Sequence, residues 1–348
     1  MRIVDLRSDT VTSPTLKMRQ AMKDAEVGDD GFGDDPTTNR FERIAADSVG
    51  KEDALLVPSG TMGNLIAIMV HTKPGEGLIC DRFAHINTMV AGSTAALTGT
   101  TICPLDVDES GHFDLDELES NIDLDNIHFP RTSLIVLENT NNLAGGTVVT
   151  PEETSEISRI AKKHNLRFHL DGARVFNSAI AQGVDIVALT RDCDSVMFCL
   201  SKGLASPVGS ILAGTEAFIK EARRMRKMLG GVMRQTGVLA ACGIISLEEM
   251  IDRLAEDHDN ARYLANGLEG IDGFSIKLKT VQTNIICFKF ALPKLSCKEF
   301  VDKVANKGVY VVHLFRDFGR MVTHKDLSKS DIDFALEVFK DTVSESRI

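Results

Sequence analysis

The sequence lacks several features that would place it in common classes of protein. None of its 348 residues belongs to an apolar run approaching the roughly 18 residues of a membrane span, and the N-terminal segment MRIVDLRSDTV has no apolar signal core. Basic residues are in deficit, with 39 Lys and Arg against 50 Asp and Glu, so the formal charge is −11. This balance argues against nucleic-acid binding and favours a protein that acts on small molecules. We therefore expect neither a membrane nor a nucleic acid as partner.

Cysteine spacing and short motifs exclude further classes. The seven cysteines are an odd number, lie mostly among apolar neighbours and never form C-x-x-C. They indicate buried thiols in a reducing compartment, and we expect a cytoplasmic protein. The motifs GxGxxG, GxxxxGK[ST], HExxH and GxSxG are all absent, which removes support for the usual dinucleotide, P-loop, zinc-protease and serine-hydrolase sites. No metal site is predicted.

What is present is an alternation of short apolar runs with helical patterns from about residue 54, as in ALLVPSG followed by TMGNLIAIMVHT. Such alternation predicts an α/β fold around a buried, mostly parallel sheet. Near residue 245 the pattern changes to a long amphipathic stretch and a smaller α/β unit. We predict an N-terminal arm and large domain over residues 1–245 and a small domain over 246–348.

Polar residues directly after apolar runs are the candidates for a site, because ligands of open α/β sheets bind at the carboxyl ends of the strands. In LLVPSGTMGN, Gly60 and Thr61 would present N–H groups and a hydroxyl to a phosphate at a helix start; ordinary capping by Ser59 or Thr61 is the alternative. In HLDGARV, Asp171 would hold a protonated ring nitrogen, or else pair with Arg174.

Lys202 in CLSKGL follows the next apolar run, at the same predicted edge as Asp171. A solvated lysine is the simple alternative, but a phosphate turn, an acid and a lysine in this order suit pyridoxal 5'-phosphate, with Lys202 forming the Schiff base. His85 follows the run GLIC and is a candidate to stack on the cofactor, or else an ordinary core or surface histidine. Further candidates at such positions are Ser8, Glu138, Asn139, Asn142, Arg234 and Arg320.

Together these motifs resemble the low-specificity L-threonine aldolases, which are pyridoxal phosphate enzymes of the β-eliminating lyase group. The resemblance runs through nearly the whole chain, in DLRSDTVT, VGDDGFGDDPTTN, PSGTMGN, LENTNN, HLDGARVFN, CLSKGL, MRQTG and RMVTH. It implies the fold of aspartate aminotransferase (fold type I), with a mostly parallel seven-stranded sheet and a smaller C-terminal domain. It also implies a homotetramer, built from dimers with shared active sites.

The resemblance assigns roles to individual residues. Lys202 and His85 are the expected catalytic residues: Lys202 carries the cofactor and His85 stacks on its ring. Asp171 pairs with the pyridine nitrogen, Gly60 and Thr61 bind the phosphate, and Ser201 and Arg174 also contact the cofactor. Ser8, Arg174 and Arg320 would hold the carboxylate of the amino-acid substrate, and Asn141 would also contact the substrate. Arg234 would reach the phosphate of a neighbouring subunit. The implied reaction releases glycine and an aldehyde, which is acetaldehyde when the substrate is threonine.

Several positions depart from the family pattern. Asn141 stands where the family usually has a histidine near the substrate hydroxyl, and Phe32 where a tyrosine is common. Residues 88–92 and the pair Ala205 and Ser206 also differ. Cleavage of L-threonine, L-allo-threonine or a related β-hydroxy amino acid is the leading hypothesis. The alternatives are β-elimination from another amino acid and a cofactor-binding homologue without turnover.

Overall fold

The computed structural model describes residues 2–123 and 126–346. Its strands, numbered in chain order, are β1 (Val4–Asp5), β2 (Asp53–Val57), β3 (Gly77–Asp81), β4 (Thr101–Leu105), β5 (Thr132–Glu138), β6 (Arg167–Asp171), β7 (Ser195–Cys199), β8 (Ser210–Gly214), β9 (Phe274–Ile276), β10 (Ile285–Phe290), β11 (Val309–Tyr310), β12 (Val312–Phe315) and β13 (Phe318–Val322).

The α-helices follow the same order. They are α1 (Leu16–Asp24), α2 (Pro36–Ser48), α3 (Gly60–His71), α4 (His85–Thr88), α5 (Ser93–Thr98), α6 (Leu115–Ser120), α7 (Pro151–Lys163), α8 (Val175–Gln182), α9 (Ile186–Thr190), α10 (Glu216–Met228), α11 (Gly237–Glu249), α12 (Leu254–Glu269), α13 (Cys297–Asn306) and α14 (Lys329–Glu345). None of the described helices is long and apolar enough to cross a membrane.

Seven strands form the central sheet, in the order β2-β8-β7-β6-β5-β3-β4. Strands β7, β6, β5, β3 and β4 pair in parallel, and only β8 runs opposite to its two neighbours. This confirms the predicted α/β class with a mostly parallel sheet of seven strands. Strands β3 and β7 are buried along their whole length, as expected for a sheet covered on both faces. The parallel strands therefore end at one common edge.

Local signals in the sequence explain where the helices begin. Helix α7 starts with Thr150 as N-cap and Pro151 in the first turn, and Glu153 completes a capping box. The long amphipathic stretch after residue 245, in contrast, is two helices, because the chain turns between the end of α11 and Leu254.

A second, four-stranded sheet has the order β12-β13-β10-β9 and packs with α12, α13 and α14 around its own apolar core. The N-terminal residues Val4 and Leu6 belong to this core, and β1 pairs with β11. The first 40 residues, whose polar, Gly- and Asp-rich sequence is typical of an extended arm, contain helix α1, which packs on α11. The boundary predicted after residue 245 falls inside α11, and the division into 1–245 and 246–348 stays a prediction.

Candidate active site

The ends of several parallel strands surround a cavity of about 270 Å³. Eleven of the residues singled out from the sequence as site residues line it: Ser8, Gly60, Thr61, His85, Glu138, Asn142, Asp171, Arg174, Ser201, Lys202 and Arg320. Three others, Asn139, Asn141 and Arg234, do not. The structure therefore brings together most of the predicted constellation, from positions more than 300 residues apart in the chain.

Lys202 lies in the loop that joins β7 to the antiparallel β8, so no helix follows this strand. The hydroxyl of Thr12 donates a hydrogen bond to the Lys202 carbonyl oxygen at 2.9 Å and fixes the loop. Across residues 2–123 and 126–346, no side chain forms an ion pair or hydrogen bond with the Lys202 ammonium group. The amine therefore faces the cavity without a protein partner.

Asp171 ends β6 and is buried, with 2% of its surface exposed. One carboxylate oxygen accepts a hydrogen bond from Asn64 Nδ2 at 2.7 Å, and the other accepts one from the Ala173 backbone at 3.2 Å. Arg174, the alternative partner considered for Asp171, forms an ion pair with Asp9 instead. Asp171 therefore reaches the cavity held by neutral donors, as a carboxylate that can accept one further hydrogen bond.

The N-terminus of α3 opens onto the same cavity through Ser59, Gly60 and Thr61. Ser59 is the N-cap, since its hydroxyl accepts a hydrogen bond from the Met62 backbone at 3.2 Å. The cap leaves the first N–H groups of the helix directed at the cavity, where the helix dipole favours an anion. Capping and anion binding are therefore compatible readings of this motif.

Arg174 forms a buried, two-pronged ion pair with Asp9, with both N–O distances at 2.7 Å. Asn284 donates a further hydrogen bond to Asp9 at 3.1 Å. Burial opposes ionisation of Asp9, but the charge of Arg174 and these hydrogen bonds outweigh it and lower the Asp9 pKa. The ion pair thereby connects the N-terminal segment to Arg174, one of the residues that line the cavity.

A series of hydrogen bonds connects the backbone of His85 to the side chain of Arg320, and both residues line the cavity. Glu138 accepts hydrogen bonds from the backbone of His85 and of Asn142, both at 2.8 Å. The Asn142 amide oxygen in turn accepts one from Arg320 at 2.7 Å. Burial, reinforced by the charge of Asp171, raises the Glu138 pKa to about 7. Burial lowers the pKa of His85, so its imidazole is neutral near neutral pH.

Asn141 is turned away from the cavity that holds Lys202. Its amide nitrogen donates to Asp81 at 2.9 Å, and its amide oxygen accepts from the Ala144 backbone at 3.0 Å. It lines a second cavity of about 300 Å³ on the far side of residues 141–144. Its neighbours Thr140 and Asn142 line the first cavity instead, because side chains of successive residues point in different directions.

Arg234 and Phe32 lie together at the surface, away from Lys202. Phe32 is 79% exposed, and Arg234 pairs loosely with Asp29 at 3.5 Å. Both line a pocket with Arg223 and Arg226. Within this subunit, neither residue contributes to the cavity of Lys202.

The remaining departures from the family pattern divide into two groups. Met89, within the segment 88–92, lines the cavity of Lys202. Ala205 and Ser206 are buried behind the Lys202 loop; Ala205 adopts a left-handed backbone with φ of 61°, and the Ser206 hydroxyl bonds to Ser246 of α11 at 2.8 Å. The changes at 205 and 206 therefore affect the support of the loop and not the cavity wall.

Sequence reasoning missed Asp9, Asn64 and Thr140. Asn64 lies one turn after Gly60 on α3, and this helical spacing could have placed its side chain over the sheet. Asp9 directly follows Ser8, but nothing local shows that it pairs with Arg174. Thr140 is a neighbour of the candidates Asn139 and Asn142, and only the fold shows which of them faces the cavity.

The donors and acceptors of this cavity fit pyridoxal phosphate. Two residues that line it each have a buried polar atom, Thr140 Oγ1 and Arg320 Nε, without a hydrogen-bond partner in the described structure, which is consistent with a polar occupant. The α3 N-terminus suits the phosphate, Asp171 the pyridine nitrogen and Lys202 the aldehyde carbon. No group of three or more His, Cys, Asp or Glu side chains among the described residues is arranged to hold a metal ion.

Comparison with known proteins agrees with this geometry. The family model described as beta-eliminating lyase matches residues 5–291. The chain is 41% identical over 344 residues to the probable low-specificity L-threonine aldolase 2 of Arabidopsis thaliana, covering 98% of this chain and 97% of the relative. It is 46% identical over 266 residues to the low specificity L-threonine aldolase of Escherichia coli, covering 76% and 79%.

Among solved structures, the threonine aldolase of Leishmania major superposes with a TM-score of 0.82 at 22% identity, covering 97% of this chain and 99% of that one. Fold and site thus define a pyridoxal-phosphate-dependent lyase with the fold of aspartate aminotransferase. The chain belongs to the beta-eliminating lyase family and, within it, to the low-specificity L-threonine aldolases.

Proposed function

We propose that the protein is an aldolase that cleaves L-threonine, L-allo-threonine or a related β-hydroxy amino acid to glycine and an aldehyde. The observation that carries the proposal is the convergence of Lys202, Asp171 and Arg320 on one cavity. Relatives named as low-specificity L-threonine aldolases, at 41% and 46% identity, support the same reaction.

Each side chain has a separate task in this proposal. Lys202 holds the cofactor covalently, Asp171 retains a proton at its ring nitrogen, His85 covers one ring face and Ser201 flanks the lysine. Gly60 and Thr61 bind the phosphate at the start of α3. When bound, pyridoxal phosphate supplies an electron sink for the α-carbon of the amino acid.

The substrate carboxylate is assigned to Arg320, with Ser8 and Arg174 beside it. Asp9 already occupies one edge of the Arg174 guanidinium, whereas the buried Nε of Arg320 has no hydrogen-bond partner among the described residues. An ionised carboxylate would satisfy this donor through a charge-assisted hydrogen bond. Arg320 is therefore the principal anchor of the substrate.

Cleavage requires that the β-hydroxyl lose its proton, after which the carbon–oxygen double bond forms and the Cα–Cβ bond breaks. We assign the proton acceptor to His85, because burial lowers its pKa and keeps the imidazole neutral. Asn141 has no basic atom and its amide is engaged by Asp81 and Ala144. A proton returned to the α-carbon then completes glycine.

The test is a product assay. Purified protein with pyridoxal phosphate is incubated with a panel of β-hydroxy amino acids, and glycine and aldehyde are measured, with Lys202→Ala as control. Equal amounts of glycine and acetaldehyde from threonine are expected. Ammonia and a keto acid would instead establish β-elimination, and a cofactor-loaded protein inert to every amino acid would be a homologue without turnover.

We propose further that the protein is a cytoplasmic homotetramer. All seven cysteines are free thiols, which suits a reducing compartment. The exposed Phe32 and the cationic pocket around Arg234 suit a neighbouring subunit whose cofactor phosphate Arg234 would bind. Sedimentation velocity of the purified protein measures the assembly size directly.

A further inference from the structure

A line of buried hydrogen bonds runs through the central sheet to Asp171. His71 Nε2 lies 2.7 Å from Ser195 Oγ, which lies 2.8 Å from His169 Nδ1. His169 Nε2 lies 3.0 Å from Asn64 Oδ1, and Asn64 Nδ2 donates to Asp171 at 2.7 Å. Ser195 and His169 are fully buried and Asn64 is 2% exposed. Nothing in the proposed reaction so far uses these four residues.

The direction of donation along this line follows from its last member. Asn64 donates its NH₂ group to Asp171 and therefore presents its carbonyl oxygen to His169. His169 therefore carries its proton on Nε2 and accepts at Nδ1 from the Ser195 hydroxyl. Ser195 in turn accepts from the Nε2 proton of His71. In each of the four hydrogen bonds, the acceptor is thus the partner nearer to the Asp171 carboxylate.

Both histidines are neutral, as this arrangement requires. Burial lowers the pKa of His71 to about 3, assisted by the charge of Arg167. Burial likewise lowers the pKa of His169 to about 3, assisted by His71. Each ring therefore carries one N–H group, and the line adds oriented dipoles at Asp171 without adding a charge.

Asp171 needs such support because another carboxyl group lies beside it. Glu138 ends the neighbouring strand β5 in direct register with Asp171, and their mutual repulsion helps to raise the Glu138 pKa. Among the described residues, the other titratable side chains that line this cavity are His85, Arg174, Cys199, Lys202 and Arg320. The hydrogen bond that Asn64 donates to one carboxylate oxygen stabilises a negative charge on Asp171.

We propose that Asn64, His169, Ser195 and His71 are positioning residues that orient Asp171 and stabilise its negative charge, and thereby keep the ring nitrogen of bound pyridoxal phosphate protonated. The inference rests on the role assigned to Asp171 in the proposed function, but not on the identity of the substrate. On this proposal, the residues that support the site extend from the cavity to the C-terminal end of α3. There His71 stacks on Phe218, with the ring centroids 4.6 Å apart.

The experiment uses the full-length holoprotein, loaded with pyridoxal phosphate labelled with nitrogen-15 at the ring. The variants Asn64→Leu, His169→Phe and Ser195→Ala each interrupt the line at a different link. Ser158→Ala is the matched control, because it removes a buried hydroxyl that donates to the Asp192 carbonyl oxygen at 2.8 Å, away from the site. The ring-nitrogen chemical shift and the cofactor dissociation constant are measured for each.

We expect Asn64→Leu to raise the cofactor dissociation constant about tenfold or more, as the loss of a hydrogen bond to a charged group does. His169→Phe should raise it by a smaller factor, and both should move the nitrogen shift toward that of neutral pyridine. Ser195→Ala, the smallest change, tests the line if the larger substitutions fail to fold. Wild-type shifts in every folded variant, with affinities equal to that of Ser158→Ala, would refute the proposal.

The outcome is separable from that of the product assay. Protonation-dependent shifts in a protein that cleaves no β-hydroxy amino acid would refute the proposed function and leave the role of these residues standing. Threonine cleavage together with an unchanged ring-nitrogen chemical shift in all variants would support the proposed function and refute the role of these residues.

Discussion

At the scale of single residues, the two cavity arginines differ in how far the protein already satisfies them. Arg174 is paired with Asp9, and this pair raises its pKa although burial opposes the charge. Among the residues that the structure describes, Arg320 has only the Asn142 side chain and a distant Arg7 carbonyl oxygen as partners, and burial lowers its pKa. A substrate carboxylate therefore gains more at Arg320 than at Arg174.

We expect Arg320→Gln to raise the KM for the amino acid about 100-fold with a smaller change in kcat, because one or two charge-assisted hydrogen bonds to the carboxylate are lost. Steady-state kinetics of glycine formation provide the measurement. Arg316→Gln, on the turn between β12 and β13, is the matched control and should leave both constants unchanged. Equal effects of the two substitutions would contradict the assignment.

At the scale of elements, helix α3 has a role at each end. Its N-terminus opens onto the cavity at Gly60 and Thr61, its middle supplies Asn64 to Asp171, and His71 closes the helix. Gly60 allows the helix to approach β7 closely, since a Cβ atom there would lie 2.8 Å from Cys199 Sγ. The phosphate site thus depends on how closely α3 packs against the strand that precedes Lys202.

Gly60→Ala should therefore weaken pyridoxal phosphate binding about tenfold, because the added methyl pushes the start of α3 away from β7. Helix propensity alone would favour alanine by up to about 1 kcal/mol, so a loss of affinity identifies the clash. Fluorescence titration with the cofactor measures it. Removing the opposing side chain, in Gly60→Ala combined with Cys199→Ala, should restore affinity toward that of Cys199→Ala alone. Wild-type affinity in the single variant would contradict this account.

The elements also show what could be predicted from the sequence. Apolar runs locate strand ends, and parallel strands share an edge, so Asp171 and Lys202 could be placed together without a structure. The orientation of consecutive residues in an irregular loop has no such periodicity, and Asn141 consequently faces Asp81 and not the cavity. Partners such as Asp9 and Arg174, 165 positions apart, meet only through the tertiary fold.

At the scale of the whole molecule, the N-terminal segment joins the two cores. Val4 and Leu6 pack in the core of the four-stranded sheet, Asp9 binds both Arg174 and Asn284, and α1 packs on α11. The site is therefore assembled from both parts of the chain. The proposed Arg234 contact adds a third contribution, from a second subunit.

Subunit complementation tests that contribution. Lys202→Ala and Arg234→Glu should each have little activity, the second because a carboxylate would repel the cofactor phosphate. Chains that carry one substitution each, co-expressed with different tags and purified through both, should regain up to about half of wild-type activity, because a mixed two-fold pair contains one intact site out of two. No recovery in such hybrids would show that Arg234 serves its own subunit or none.

A second molecule-wide property is the pH dependence of folding. His258 on α12 is buried and accepts a hydrogen bond from Asn177 of α8 at 3.1 Å. Burial, with the charge of Arg262, lowers its pKa to about 4, whereas an unfolded histidine titrates near about 6.5. The unfolded chain therefore binds the proton first, and stability present above about pH 6.5 is lost as the pH falls toward 4.

His258→Gln removes this titration, so the free energy of unfolding should fall less steeply with decreasing pH than in the wild type. The two curves should diverge by at most about 1.4 kcal/mol per pH unit below pH 6.5, measured by urea unfolding at several pH values. His128→Gln, at an exposed position, is the control and should reproduce the wild-type slope. Parallel curves for His258→Gln and wild type would show that His258 is protonated equally in the folded and unfolded chains, and that the α8–α12 contact does not depend on its neutral form.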